Sequence, residues 1–287
     1  MIQKRIAFVT HAGLPDLAAD DLLAVAELSQ RGSKVVPAVW DDPGVRWPDF
    51  DSVVIRSCWD YHHRPSVFLD WLSRMESEGV PLWNPAPVVR ANVDKKYLGD
   101  LAAAGIRVVP MAWVEKGSAA NLAAILEERG WDEAVVKPAV SASAFQTRRT
   151  SRAEAPAQQT SFEELLSLSS ALVQPFLPEI QTRGEWSLIF LGGEFSHAVL
   201  KRPREGDFRV QEHLGGSSRP AVASEELIRQ ARAVVEKIPG PWLYARVDGV
   251  ESGEGLLLME LELTEPSLFL ESDLAAPARF AEAILES

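Results

Sequence analysis

Over the first 83 residues of the chain, the spacing of hydrophobic positions switches repeatedly between the period of a strand and the period of a helix. Short apolar runs with strand character lie at residues 5–10, 35–40 and 52–56. Helical spacing of the apolar residues marks the intervening segments 16–31 and 65–78. Such βαβ alternation predicts a parallel sheet, and ligands of such sheets gather at the carboxyl ends of the strands.

The pattern changes at Asn84-Pro85-Ala86-Pro87, which breaks the periodicity and indicates a linker between domains. The expected elements after it are helices over residues 92–104 and 119–128 and strands over residues 108–114 and 134–137. Residues 138–160 are small and polar and have no period. A stretch of this length predicts a long loop that is either functional or disordered.

The last third of the chain is rich in strand patterns. Gly192-Gly193 separates two of them and signals a hairpin. The expected elements are strands over residues 172–176, 185–191, 194–201, 242–248 and 255–264 and a helix over residues 224–237. Residues 203–220 form a second irregular stretch.

Composition narrows the class of protein. The chain has 287 residues, of which 46% are hydrophobic and 24% charged, as in soluble globular proteins. A single cysteine, Cys58, excludes an internal disulfide and favours a cytoplasmic location. We see neither a signal segment nor an apolar run near the roughly 20 residues that span a bilayer. The net charge of -12 argues against nucleic acid as the main partner but leaves room for a nucleotide.

Two carboxylates, Glu260 and Glu262, lie inside one of the most apolar runs of the chain. In a strand they share a face and lie roughly 7 Å apart. A third carboxylate, Asp248, closes the preceding apolar segment. Buried like charges are costly, and a divalent cation held by one or two carboxylates plus nucleotide phosphates removes that cost. The alternative is a strand with one solvated face.

Two lysines are candidates for phosphate binding. Lys95 opens the helix expected over 92–104, and Lys137 ends an apolar strand just before the long loop. A lysine on a rigid strand is a fixed point charge for a phosphate, whereas a lysine in a first helical turn is often only solvated. The loop contains Ser141 and Ser143, and its backbone N–H groups suit phosphate oxygens.

The order of these motifs, over about residues 84–270, resembles the ATP-grasp ligases, in particular the branch of prokaryotic glutathione synthetase and the ribosomal-protein glutamate ligases. Residues 55–61, 84–85 and 137–144 look most like the cyclo-ligase group of D-cycloserine biosynthesis. The resemblance implies an ATP-grasp fold of mixed α/β (α+β) class. Its parts are an N-terminal parallel α/β domain (residues 1–92) and two α+β subdomains (93–172 and 173–287) that hold ATP between them.

The resemblance also implies the ligands and their residues. The cofactors are ATP and Mg²⁺, with Mn²⁺ as a substitute, and the metal ligands are Asp248, Glu260 and Glu262. The nucleotide residues are Lys95, Lys137, Ser141, Ser143, Gln174, Phe176, Leu177, Glu179 and Glu185. The sequence departs from the family in two ways. Its phosphate loop lacks glycine, and Glu262 stands where asparagine is commoner.

Arginines and one histidine complete the implied site. Arg202 is the family's candidate to lie over the transferred phosphoryl group, and Arg246 to steady the oxyanion. A structural pair of Arg246 with Asp248 is the alternative. Arg209, together with His11 and Arg56 at the carboxyl ends of the N-terminal strands, would bind a small amino-acid substrate. Ordinary structural roles are the alternative for these last two.

The implied activity is ligation of a carboxylate to an amine. ATP phosphorylates the carboxylate of a small amino acid or its derivative, the amine displaces phosphate, and a cyclo-ligase closes the molecule on itself. We expect a monomer or homodimer that binds neither nucleic acid nor membranes. A nucleotide-binding regulatory protein and a kinase that stops at a phosphorylated product are the competing functions.

Overall fold

Three β-sheets organise the computed structural model of the chain, which describes residues 3–287 apart from the side chain of His213. The strands are β1 (Arg5–Thr10), β2 (Lys34–Val39), β3 (Ser52–Ser57), β4 (Leu82–Trp83), β5 (Ala112–Val114), β6 (Glu133–Pro138), β7 (Arg148–Ser151), β8 (Ala171–Pro175), β9 (Glu185–Leu191), β10 (Glu194–Arg202), β11 (Ser217–Ala221), β12 (Tyr244–Ser252) and β13 (Gly255–Glu262). The helices are α1 (Ala19–Gln30), α2 (Pro65–Ser77), α3 (Ala86–Val93), α4 (Tyr97–Ala103), α5 (Leu122–Arg129), α6 (Ala155–Leu168), α7 (Glu179–Thr182), α8 (Glu225–Val235) and α9 (Ala276–Glu286). Together they confirm the mixed α/β class.

The N-terminal sheet has the strand order β2-β1-β3-β4, and its pairs are parallel, as the βαβ pattern predicts. Strand β1 is almost wholly buried because helices cover both of its faces. Helix α2 begins at Pro65 and buries Phe68, Trp71, Leu72 and Met75, which recur at helical spacing. This sheet therefore forms from local patterns that the sequence displays openly.

The central sheet, with the order β5-β8-β6-β7, corrects one expectation. Residues 138–160 are not a continuous loop, because they include β7 and the first turns of α6. The inner face of α6 carries Ala155, Phe162, Leu165 and Leu166, but polar residues fill its N-terminal half and obscure the period. The irregular segment shrinks to residues 139–147, and the boundary expected at residue 172 falls within β8.

The segment after β4 corrects a second expectation. Residues 86–93 are helix α3 rather than a linker, and the helix expected over 92–104 is divided into α3 and α4. Asp94 between them has extended backbone angles, and the N–H of Lys95 donates to the Ala139 carbonyl of the central sheet. This break directs Lys95 toward the space between the sheets.

The C-terminal sheet has the order β11-β10-β9-β12-β13 and antiparallel pairs. Strand β11 lies in a stretch expected to be irregular. One face of this sheet packs on α8 through apolar residues such as Leu188, Phe190 and Val247. At one end of the opposite face, Ile189, Leu191 and Val199 share a core with the N-terminal sheet. The other end of that face is polar.

Between residues 3 and 287, no helix combines the length and apolarity that crossing a bilayer requires.

Candidate active site

The polar end of the C-terminal sheet forms the floor of a cavity of about 510 Å³. Residues of the central sheet and of the loop 141–147 form its opposite wall, and Trp59 and Tyr61 reach it from the N-terminal domain. The cavity is large enough for a small organic ligand, since such pockets usually measure about 300–1,000 Å³. The residues that line it determine its chemistry.

Lys201, a residue that sequence reasoning missed, is the central cation of the floor. Its Nζ lies 2.5 Å from Glu185 and 3.4 Å from Asp248. The lysine is only 6% exposed. Burial opposes its charge, but the two carboxylates prevail and raise its pKa above the ordinary value. Lys201 is therefore a permanent positive charge facing the cavity.

The predicted phosphoryl-binding residue, Arg202, is exposed and does not line the cavity. The reason is the register of β9 and β10. In a regular hairpin around Gly192-Gly193, Arg202 would share a face with Glu185, but the register shifts between Phe195 and His197. Such a shift turns every later side chain to the other face, so Lys201 instead lies opposite Glu185. Strand alternation predicts which of Lys201 and Arg202 faces the cavity only if the position of the bulge is known.

Arg246 ties two of the floor's carboxylates together. Its Nη2 donates to Asp248 at 2.9 Å and to Glu262 at 2.5 Å, and its Nη1 donates to the Ser267 carbonyl. Burial disfavours the charge of Arg246, yet Asp248 and Glu262 raise its pKa above the ordinary range. The structural pair of Arg246 with Asp248 therefore exists, and it lies on the wall of the cavity.

Glu260 carries the contact between the two walls. Its carboxylate accepts a hydrogen bond from Lys137 of β6 at 2.8 Å and lies 3.9 Å from Lys95. Burial alone would raise the pKa of Glu260, but the charges of Lys137 and Lys95 bring it down to about 2. By contrast, burial raises the pKa of Glu262 to about 7, with help from Asp248 and Glu260 and against Arg246. Glu260 and Glu262, two of the three predicted metal ligands, thus differ in basicity.

The geometry of the carboxylates bears on a metal site. Asp248 lies opposite Glu260, and Arg246 lies opposite Glu262 across β12 and β13. Within residues 3–287, no three acidic, histidine or cysteine side chains are grouped closely enough to hold a metal ion by themselves. Carboxylate oxygens nonetheless fit Mg²⁺, which usually takes one or two of them together with phosphates.

The far end of the cavity is mostly apolar and suits a flat base. Val109, Val135, Leu177, Ile180 and Met259 line it. Gln174 is 6% exposed, and its Nε2 has no hydrogen-bond partner within residues 3–287. An unpaired buried donor is costly, so a ligand acceptor here would be stabilising. This orphaned amide fits the edge of a nucleobase.

The remaining loop residues follow the prediction in position. Ser141 and Ser143 line the cavity, and the Ser141 carbonyl accepts a hydrogen bond from Lys95 Nζ at 2.9 Å. The loop compensates for its lack of glycine by placing Ser143, Ala144 and Gln146 in the left-handed region, with φ of 51°, 57° and 53°. This conformation costs L-residues about 1–2 kcal/mol each.

Four other candidates lie outside the cavity lining. Arg56 is 2% exposed and donates to Asp21 and to the Pro266 carbonyl, so its guanidinium serves the fold. The His11 ring contacts the Ser57 carbonyl. The Phe176 N–H donates to the Glu133 carbonyl, and Glu179 begins helix α7. Arg209 does line the cavity, paired with Asp207.

Comparison with known proteins gives one near relative. A family model described as the N-terminal domain of D-cycloserine synthetase DcsG matches residues 6–84. The cycloserine biosynthesis protein DcsG of Streptomyces lavendulae is 34% identical over 265 residues, which are 86% of this chain and 86% of that protein. The crystal structure of D-cycloserine synthetase DcsG matches with a TM-score of 0.89 at 30% identity and covers 98% of this chain and 99% of that chain.

Two more distant structures share the fold. D-alanine–D-alanine ligase from Bacillus anthracis, complexed with ATP, has a TM-score of 0.70 at 15% identity and covers 100% of this chain and 97% of that chain. The ATP-grasp ligase PsnB, complexed with a phosphomimetic variant of its minimal precursor, Mg and ADP, has a TM-score of 0.67 at 16% identity, with coverage of 98% and 97%. At these identities the likeness concerns the fold alone.

Proposed function

The chain belongs to the family of D-cycloserine synthetase DcsG within the ATP-grasp ligases, and on that premise we propose that it closes a small amino-acid derivative into a ring. It is an enzyme, an ATP-dependent ligase that joins a carboxylate to an amine. The observation that carries the proposal is the convergence of three lysines, from three separate segments of the chain, on the carboxylates of one cavity.

We infer that ATP lies across this cavity, with its base beside Gln174 and Leu177 and its phosphates over Lys95, Lys137 and Lys201. The unpaired Nε2 of Gln174 supports the position of the base. The three lysines support the position of the phosphates, because each is buried and contacts a carboxylate or a carbonyl of the cavity. Phosphoryl transfer depends mainly on positioning and charge neutralisation, which these side chains supply.

Asp248, Glu260 and Glu262 would hold Mg²⁺ together with phosphate oxygens. The ATP complex of the D-alanine–D-alanine ligase and the Mg–ADP complex of PsnB support the nucleotide and Mg²⁺ as ligands of this fold. When bound, the ion neutralises charge that develops on the phosphates. Mn²⁺ accepts the same oxygen donors and is the natural substitute.

The proposed reaction has two steps. A carboxylate oxygen of the substrate bonds to the γ-phosphorus of ATP, the bond to the bridging oxygen breaks, and ADP leaves. A nitrogen of the same substrate then bonds to the acyl carbon, phosphate leaves with the carbon–oxygen electron pair, and the nitrogen gives up a proton. Arg246 beside the acyl group would stabilise the oxyanion of this second step. In D-cycloserine the acylated nitrogen is itself bonded to the side-chain oxygen of a serine skeleton, which suggests the substrate class.

The test uses purified protein, ATP, Mg²⁺ and linear derivatives of D-serine that carry a nitrogen on the side-chain oxygen. ADP, phosphate and the ring compound should form in equal amounts, as measured by coupled assay and mass spectrometry. D-serine, which lacks that nitrogen, is the matched control and should give no ring.

Other outcomes would contradict ring closure. A product joined to a second amine would indicate a linear ligase, and ADP without free phosphate would indicate a kinase. Binding of ATP without ADP release, over a wide panel of amino acids and peptides, would indicate a regulatory nucleotide-binding protein.

A further inference from the structure

Glu265 is a buried carboxylate of the cavity wall that the proposed chemistry does not use. The residue is 8% exposed and lines the cavity between Glu262 and Ser267. Among the side chains that the structure describes, none donates a hydrogen bond to its carboxylate or forms an ion pair with it, and only its main-chain carbonyl is bonded, to Trp59 Nε1. A largely buried carboxylate that faces a cavity without a cationic partner of its own points to a ligand.

The backbone that carries Glu265 is held rigidly, so the position of the side chain is fixed before any ligand arrives. Four successive carbonyls each accept a hydrogen bond from a side chain of another element. The pairs are Thr264 with Tyr244 at 2.8 Å, Glu265 with Trp59, Pro266 with Arg56 and Ser267 with Arg246, the last three at 3.0 Å. Rigid support of this kind is typical of groups that bind or orient a ligand.

The basic side chains nearest to Glu265 are already engaged. Lys95 donates to the Ser141 carbonyl and lies beside Glu260, and Arg246 holds Asp248 and Glu262. Burial raises the pKa of Glu265 to about 8, and the negative charge of Glu262 adds to the effect. The protein thus leaves this carboxylate without a cation of its own.

Two aromatic residues complete the surroundings. Trp59 and Tyr61 line the same cavity, and Tyr61 is buried. Burial, and next the charge of Glu265, raise the pKa of the Tyr61 hydroxyl well above its usual range. Aromatic rings beside a carboxylate favour an organic cation, because the ring faces attract positive charge.

We propose that Glu265, flanked by Trp59 and Tyr61, binds the protonated amino group of the substrate and thereby fixes which end of the molecule meets the ATP phosphates. The inference rests on the proposed function, because it assumes an amino-acid derivative as substrate. The proposed site is a subsite for an ammonium group, on the side of the cavity that the N-terminal domain contributes. The nitrogen that closes the ring is a different one and is not held by Glu265.

The test compares two ligands in the presence of ADP and Mg²⁺ by calorimetry. D-cycloserine carries the free amino group, and isoxazolidin-3-one is the same ring without it. The wild type should bind D-cycloserine more tightly. Glu265→Gln should weaken D-cycloserine by about 10-fold or more, the effect of losing a charged hydrogen bond, and leave the other ring within about 2-fold. Glu282→Gln, which removes the same charge from the exposed face of α9, should change neither.

Four results would overturn the proposal. In the wild type, these are equal affinity for the two rings and no binding of D-cycloserine. In Glu265→Gln, they are an unchanged affinity for D-cycloserine and a loss of affinity confined to Mg²⁺-dependent ADP binding. The last would make Glu265 a metal ligand. Thermal unfolding checks that Glu265→Gln is folded, and Glu265→Asp should retain part of the preference for the amine.

Failure of the proposed function is distinguishable from failure of this inference. A protein that releases no ADP with any substrate would refute the ligase reaction, yet the calorimetric preference for the amine would still report on Glu265.

Discussion

Adjacent basic residues on one strand have different roles in this protein, because a bulge decides which of them faces the cavity. Lys201 is buried against Glu185 and Asp248, whereas Arg202 is exposed on the other face of β10. We expect Lys201→Gln to lower the rate of ADP release by about 10²–10³, as for loss of a preorganised donor to a developing charge. Arg202→Gln is the matched control and should keep most of the activity.

The measurement for this pair is kcat for ADP release, with thermal unfolding alongside because Lys201→Gln leaves two carboxylates without their cation. An equal loss of activity in the two variants would refute the assignment. Each substitution removes one positive charge from the same strand. The comparison therefore shows whether activity depends on the charge that faces the cavity or on the net charge of the strand.

Glu260 is the residue that joins the two walls of the cavity, because it contacts Lys137 and Lys95 of the opposite side. We expect Glu260→Gln to reduce turnover by about 10²–10³ and to raise the Mg²⁺ concentration needed for half-maximal rate. Steady-state kinetics over a Mg²⁺ titration measures both effects. Glu254→Gln, on the exposed turn before the same strand, is the control. Near-normal turnover of Glu260→Gln would remove this carboxylate from the metal site.

At the scale of elements, the sequence predicts most of the secondary structure that has a clear period. The parallel N-terminal sheet, the hairpin at Gly192-Gly193 and the strands that carry Asp248 and Glu260 lie where the pattern indicates. The pattern does not reveal helix α6, because residues 158–161 are polar and its large apolar side chains lie mainly on the buried face of the second half. Period alone does not reveal such a half-covered helix.

The residues of the candidate site likewise divide into those that a local sequence pattern indicates and those that it does not. The sequence singles out Lys137, Asp248 and Glu260 because each interrupts or ends an apolar strand, and the structure places all three on the cavity lining. The position of Lys201 depends on a bulge, and that of Glu265 on hydrogen bonds between distant segments. Neither cause is local in sequence, so no local pattern indicates it.

The N-terminus of α1 is connected to the segment that follows Glu265. Asp20 Oδ1 accepts hydrogen bonds from the N–H groups of Leu270 and Glu271. Burial, together with the nearby Glu271 carboxyl, raises the pKa of Asp20 to about 7. Because the folded pKa exceeds the unfolded value, this group's stabilisation is complete below about pH 4 and is lost as the pH rises through about 7.

We therefore expect Asp20→Asn to remove this part of the pH dependence. The amide retains an acceptor for the N–H groups of Leu270 and Glu271 and carries no charge, as the protonated carboxyl does. Relative to wild type, the variant should gain up to about 4 kcal/mol in free energy of unfolding between pH 4 and pH 8. Urea unfolding at several pH values measures it, with the exposed Asp16→Asn as control. Parallel pH profiles for wild type and Asp20→Asn would contradict the expectation.

At the scale of the whole molecule, the N-terminal and C-terminal sheets share a hydrophobic core, whereas the central sheet joins the core of the C-terminal sheet through Leu172 of β8 and otherwise packs on its own. Ile6 and Phe8 of the N-terminal sheet pack in one cluster with Ile189 and Tyr244 of the C-terminal sheet. The central sheet has a core of its own, confined to residues between 112 and 173. The cavity lies between the central sheet and the rest of the molecule, so its two walls belong to units whose cores are largely separate.

This division predicts unequal local stability. Amides of β6 and β8 should exchange with deuterium faster than those of β1 and β12, because a unit whose core is largely its own opens at a lower free energy than the whole fold. Mg–ADP, which would contact Lys137 on one wall and Asp248 on the other, should slow exchange in the central strands most. At 100 times the dissociation constant, a ligand stabilises the bound form by about 2.7 kcal/mol, which sets the scale of the protection. Hydrogen-exchange mass spectrometry measures both effects, and Glu265→Gln should show the same nucleotide protection as wild type because it acts on the amine. Equal exchange in all three sheets, with or without nucleotide, would show that the molecule opens as a single unit.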